Sequence, residues 1–110
     1  MDSNEFEKSK VFSFSESIDY SDGGVVSKTV LKKQTGNISV FSFEKGEALS
    51  EHTAPFDAMI QVVEGNGEVI IGGTPFTLGK GQCIIMPANI PHAVNAVERF
   101  KMVLTMIKSS

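Results

Sequence analysis

Apolar residues along this chain fall in short runs, and nearly every run is stopped by a turn signal. Val11, Phe12 and Phe14 stand among polar residues and read as a short edge strand. Ser21-Asp22-Gly23-Gly24 marks a turn. Val25 to Lys33 is rich in β-branched residues, and Thr35-Gly36-Asn37 turns the chain again. Ile38 to Phe43 alternates, with Phe41 and Phe43 making both faces partly apolar. Ala58 to Val63 is an apolar run ending in Glu64-Gly65-Asn66-Gly67, which reads as a buried strand entering a tight hairpin. Glu68 to Ile71 follows, then a two-residue turn at Gly72-Gly73, then Phe76 to Leu78 and a turn over Gly79-Lys80-Gly81. Cys83 to Met86 is continuously apolar, Pro87 to Pro91 is a loop, and Ala93 to Val97 and Phe100 to Ile107 close the series. No stretch keeps a 3.6-residue period over three turns. The pattern predicts an all-β sandwich or barrel of about eight to ten strands. Residues 1–10 show no periodicity and read as a mobile arm, which leaves 11–110 as one domain.

A length of 110 residues suits one domain with a core that needs no staples. The net charge of −3 is mild and the basic residues are dispersed, so no electrostatic footprint for nucleic acid is present. Cys83, the single cysteine, excludes an internal disulfide and reads as a buried, inert thiol. No apolar run approaches the roughly 20 residues of a membrane helix. The polar, acidic N-terminal stretch MDSNEFEKSK has no apolar signal core, so the expected setting is reducing and cytoplasmic.

Candidate chemistry is concentrated in the two histidines, His52 and His92. Each sits in its own strand-and-turn unit, Gly46 to Gly67 and Gly81 to Ala96, which a small barrel could bring side by side. Gly46, five residues, His52 and then Gly65 follow one frame; Gly81, five residues, Pro87 and then His92 follow another. This pair of frames resembles the two motifs of the cupin superfamily. The resemblance implies an all-β cupin double-stranded β-helix, that is, a jelly-roll barrel. It also implies a homodimer with exchanged or adjoining edge strands, and an apolar edge such as Ile38 to Phe43 would be protected in one.

A metal-binding cupin usually supplies three histidines and a glutamate. Here the second histidine of the first motif is replaced by Ala54, and its glutamate by Ala58. In the second motif Asn89 replaces a glycine, and the closing asparagine falls at Ala96, with Asn95 one residue earlier. Only His52 and His92 match the ligand set, so the resemblance implies one divalent transition metal (zinc, nickel, iron or manganese), weakly held, or none. Gln61, Asn95 and Cys83 are the candidates for a third ligand. Strand alternation sets Gln61 opposite Ile60 and Val62, which makes it the weaker choice. Glu64 and Glu68 would lie at a barrel end. Without a metal, two imidazoles can orient a carboxylate or hydroxyl, or exchange protons near neutral pH.

Phe56, Ile60, Met86 and Met102 are the expected pocket-lining residues. Met59, Met86, Met102 and Met106 read first as gap-filling core. Phe41, Phe43, Phe76 and Phe100 read as core or dimer interface, and Tyr20 stands alone near a turn. Pro87 and Pro91 stiffen the loop before His92. Three functions compete: a small-molecule-binding cupin, a metal-dependent oxygenase or isomerase, and a stand-alone effector-binding module.

Overall fold

The computed structural model describes residues 5–108. Eight strands follow one another: β1 (Val25–Lys33), β2 (Gly36–Phe43), β3 (Ala48–His52), β4 (Ala58–Ile71), β5 (Thr74–Gly79), β6 (Cys83–Met86), β7 (His92–Asn95) and β8 (Phe100–Ile107). All pairings are antiparallel. One sheet runs β1-β2-β8-β4-β6 and the other β3-β7-β4-β5, so β4 belongs to both. The result is the all-β barrel expected from the pattern, in the jelly-roll form that the resemblance implies. Among the described residues, no helix is long and apolar enough to cross a membrane.

The hairpin expected at Gly65-Asn66-Gly67 is not there. The chain runs straight through it as one 14-residue strand. A register shift between Val62 and Glu64 and a positive φ of 74° at Gly65 bend the strand from one sheet into the other. The glycines are needed for a close crossing rather than a turn. A Cβ on Gly65 would lie 2.5 Å from the Arg99 carbonyl oxygen, and one on Gly67 would lie 2.5 Å from the Phe100 ring. Phe100 itself is fully buried and stacks on Phe43, with centroids 4.7 Å apart and planes 2° from parallel.

Between the sheets lie Phe43, Ile60, Val62, Val69, Leu78, Met86, Val94, Phe100 and Met102. Each large side chain here contributes about 1.5–3 kcal/mol by leaving water. A second, smaller core lies on the outer face of the first sheet, where Ile18 covers Val30, Val40 and Val103. The segment carrying Ile18 is no strand. The edge strand expected at Val11 to Phe14 is replaced by turns (Glu16 N–H to Ser13 O, Ser17 N–H to Phe14 O), with Val11 97% exposed. Part of the expected arm is docked: the Phe6 N–H donates to Val30 O at 3.1 Å, and the Lys32 N–H donates to the Glu5 carboxylate. Residues 1–4 lie outside the described part.

Polar ties hold this strap. Lys101, 7% exposed, donates to Ser15 O at 2.6 Å, Ser42 Oγ donates to Asp19 O at 2.7 Å, and the Tyr20 hydroxyl donates to Glu64 at 2.6 Å. Burial and the Glu64 carboxylate raise the Tyr20 phenol far above its ordinary value, so it stays a donor. Tyr20, without a role in the sequence reading, is therefore part of the latch.

Three burial expectations are corrected. β2 lies between β1 and β8 and is no edge. Cys83 and Met59 are exposed, because an apolar run on β6 or β4 is covered on one face only. Phe76 is exposed as well, at 41%.

Candidate metal and ligand site

β3 and β7 pair through His52 and His92, which stand opposite each other. Leu49 also faces its partner Val94 across this ladder. The interval from Leu49 to His52 is odd, so plain alternation would turn His52 to the opposite face. A register shift between the two residues absorbs the extra position and returns His52 to the side of His92. β7 alternates buried and half-buried residues, and His92 shares the inward phase with Val94. His52 is exposed at the barrel mouth, whereas His92 is only 8% exposed.

The two rings meet edge to face, with centroids 4.4 Å apart and Nε2 atoms 3.1 Å apart. His52 Nδ1 lies 2.8 Å from Ser50 O, and His92 Nδ1 lies 3.3 Å from Ile90 O. A carbonyl oxygen only accepts, so each Nδ1 is the protonated donor. In neutral rings both Nε2 lone pairs then point at each other. Two lone pairs cannot share a hydrogen bond, so the pair is satisfied by one added proton or by one metal ion. Burial, reinforced by the neighbouring His52, lowers the His92 pKa against the opposing effect of the Ile90 carbonyl. His92 is thereby kept in the neutral, ligating form.

The donor chemistry fits two adjacent ligands of one ion. Each Nε2 has its lone pair free, each Nδ1 is anchored by a carbonyl as metal-binding imidazoles usually are, and the spacing suits metal–nitrogen bonds of about 2.0–2.1 Å. The remaining ligands are not supplied. Among the described residues, no group of three His, Cys, Asp or Glu could hold a metal. Gln61 lies between the fully buried Ile60 and Val62 and so faces the outside of the barrel, beside the exposed Cys83. Asn95 is engaged with Glu68, at 3.1 Å. None of the three candidate ligands joins the histidines.

Of the expected pocket residues, Ile60, Met86 and Met102 are 0%, 3% and 1% exposed and belong to the core between the sheets. Phe56 is half-buried, with the Lys108 ammonium 5.6 Å from its ring centroid. The mouth around the pair is shaped by two loops tied to each other. The Asn89 N–H donates to Ala54 O at 2.7 Å, and the Ala88 N–H donates to Asp57 Oδ1 at 2.8 Å.

The model of the cupin domain matches residues 39–108, which include both histidines and both motif frames. The chain belongs to the cupin family. A conserved protein of unknown function from Streptococcus pyogenes is 36% identical over 97% of this chain and 94% of its own, with a TM-score of 0.91. A cupin 2 conserved barrel domain protein from Leptotrichia buccalis is 42% identical over 88% of this chain, with a TM-score of 0.85; the match spans 47% of that protein. A salicylate 1,2-dioxygenase from Pseudaminobacter salicylatoxidans shares the fold, with a TM-score of 0.71 at 18% identity over 77% of this chain and 26% of the dioxygenase. Comparison with curated proteins gave no match.

Proposed function

We propose that this cupin is a small-molecule-binding protein whose site is a clamp of two imidazoles, His52 and His92, on one divalent transition metal. The 3.1 Å approach of two Nε2 atoms whose Nδ1 partners are both engaged by backbone carbonyls carries this reading. When bound, the metal would act as a Lewis acid toward an oxygen-donating ligand. The chain's own part is to present two neutral imidazoles, to keep His92 out of water, and to leave the other coordination positions to the incoming molecule. A firm protein-only site normally takes three or more ligands, so the metal is held loosely until that molecule arrives.

The oxygenase or isomerase reading has weaker support. The dioxygenase shares only the fold, and alanines stand where the cupin motif places a further histidine and a glutamate.

The test is zinc titration by calorimetry on untagged protein, with elemental analysis of the same sample, beside a His52→Ala/His92→Ala variant. Binding of one equivalent, lost in the variant and strengthened by a small carboxylate chelator at fixed zinc, is the expected result. Zinc bound equally well by the variant would overturn the proposal. So would a parent that takes up no zinc, nickel, iron or manganese with or without the chelator.

A further inference from the structure

The inner face of the β1-β2-β8-β4-β6 sheet changes character along its width. Leu104 and Met106 on β8 pack on the main core, whereas Val103 belongs to the strap-covered core on the outer face. Register then fixes which residues of β1 and β2 share the inner face. Ser39 stands opposite Leu104 and Asn37 opposite Met106, and Thr29 continues the Ser39 row on β1. Their strand neighbours Val30, Ile38 and Val40 face the strap. Toward β4 the two rows are apolar, with Leu104 beside Ile60 and Met106 beside Ala58. Toward β1 they turn into two hydroxyls and an amide. Thr29, Ser39 and Asn37 are half-buried, and among the described residues no hydrogen bond ties their side chains to another group. Ser42, on the outer face of β2, by contrast donates its hydroxyl to Asp19 O.

These rows lie across the barrel from the histidines. The β2–β3 and β7–β8 turns close the same end, the Gly46 N–H donating to Ala96 O at 2.7 Å and the Ala96 N–H to Glu47 O at 2.8 Å. Ser39 lies five residues before Glu44 on β2, and His52 lies five residues after Glu47 on β3. Leu104 on β8 and His92 on β7 stand at similar steps from their own turn. The Ser39–Leu104 pair is therefore about level with the His52–His92 pair, on the facing sheet roughly 10 Å away.

We propose that the molecule completing the clamp is a polyhydroxylated carboxylate, with its carboxylate end on the metal and its tail hydroxyls on Thr29, Ser39 and Asn37. The inference rests on the clamp reading and adds the substrate class. Serine and threonine hydroxyls both donate and accept, and an asparagine amide does so through separate atoms, which matches ligand hydroxyls that do both. The row itself is uncharged, so it asks for neutral polar groups. Leu104 and Met106 beside it take the carbon chain. An aliphatic tail in the same place would strip water from three polar groups and return no hydrogen bond, and that cost is the source of selectivity.

Gluconate and 2-hydroxyhexanoate test it, since they share six carbons and an α-hydroxy-carboxylate head and differ only in the tail hydroxyls. Zinc affinity is measured by calorimetry at a fixed, equal concentration of either. Gluconate should strengthen zinc binding at least about tenfold more than 2-hydroxyhexanoate does. Ser39→Ala/Asn37→Ala should bring the two ligands level while zinc binding without ligand stays as in the parent, which also shows that the variant is folded. Thr105→Ala, on the other face of the same sheet, is the control and should keep the preference. Equal effects of the two ligands in the parent, or a preference untouched by Ser39→Ala/Asn37→Ala, overturns this inference and leaves the clamp standing. If the parent takes up no zinc the clamp falls, and the Asn37 side-chain amide of the metal-free protein, followed by NMR, decides the rest. A shift with gluconate and none with 2-hydroxyhexanoate upholds the hydroxyl-reading row, and no shift with either overturns it.

Discussion

Replacing Gly67 by alanine separates two accounts of the middle of β4. In an extended strand the substitution alone should stabilise by about 0.4–1 kcal/mol, because alanine loses less chain entropy on folding. Gly67 is buried and its φ is not in the left-handed region, so no backbone strain opposes this. The new Cβ, however, would stand 2.5, 2.7 and 2.9 Å from three carbons of the Phe100 ring. That ring is at 0% exposure and lies flat on Phe43, so it has no free direction in which to swing. Overpacking of this kind costs about 1–3 kcal/mol. Subtracting the entropic gain leaves a net loss of roughly 1–2 kcal/mol, a fall in Tm of about 5–10 °C for a domain of this size. Urea unfolding followed by circular dichroism measures it. The double mutant Gly67→Ala/Phe100→Leu should be more stable than the sum of the singles by about 1 kcal/mol, because the smaller side chain relieves the contact. A Gly67→Ala protein as stable as the parent, or strictly additive effects, would refute the crossing. The consequence reaches the site, since the second half of β4 carries β7 and with it His92.

Three other outcomes follow from the geometry. Lys101→Ala should destabilise by about 1.5–2 kcal/mol, since it strips a charged donor from the carbonyl of the half-buried Ser15, while Tyr20→Phe should cost about 1 kcal/mol. Limited proteolysis within residues 5–20 should speed up in both variants, and an unchanged cleavage rate would dissociate these residues from the strap. For chelator-treated protein, burial lowers the His92 pKa, so the unfolded chain binds more protons near pH 6.5. Stability should therefore rise with pH through that region and be lost as pH falls below about 6.5 toward the folded-state value. His92→Gln should flatten this slope, and equal slopes in parent and variant between about pH 5 and 7 would contradict the assignment. Deleting Glu51 shortens by one the stretch between Leu49 and His52 over which β3 slips in register, so His52 should turn away from His92. Zinc uptake should vanish while the far-UV spectrum stays β-rich; retained uptake would show that the bulge does not aim the ring.

Local signals identified most strands because each run of apolar residues is bounded by residues that act locally. β1, β6 and β8 begin and end where their turn residues say they should. The pairing of His52 with His92 was legible because each lies in a motif frame of known spacing. The crossing at Gly65-Asn66-Gly67 was not, since glycine serves equally for a positive φ and for close approach, and the atom approached is Phe100, more than thirty residues on. Tyr20 was opaque for the same reason, its partner Glu64 being 44 positions away. β3 escaped notice because its burial shows no clean alternation, the bulge having broken the period. Cys83 and Met59 were misjudged because an apolar run does not reveal which face another element covers. That depends on how far the strap reaches, and it ends at Val103.

Ala54 and Ala58 bear on what a two-imidazole clamp can select. Ala58 is buried among the core residues and pairs with both Met86 and Met106, so a larger charged side chain there would have to enter the packed interior. Ala54 is half-buried and offers its carbonyl oxygen to the Asn89 N–H, so its backbone is committed to joining the two mouth loops. Neither position donates to a metal. Discrimination then moves from protein ligands to the mouth itself: the loop before β4, the loop before His92, and the hydrogen bonds that join them. In the site proposed above, the metal and the organic molecule would each complete the other's binding. By linkage each must raise the other's affinity by the same factor. On that proposal the pair of histidines would set where the complex forms, and the shape of the mouth would set which molecule completes it.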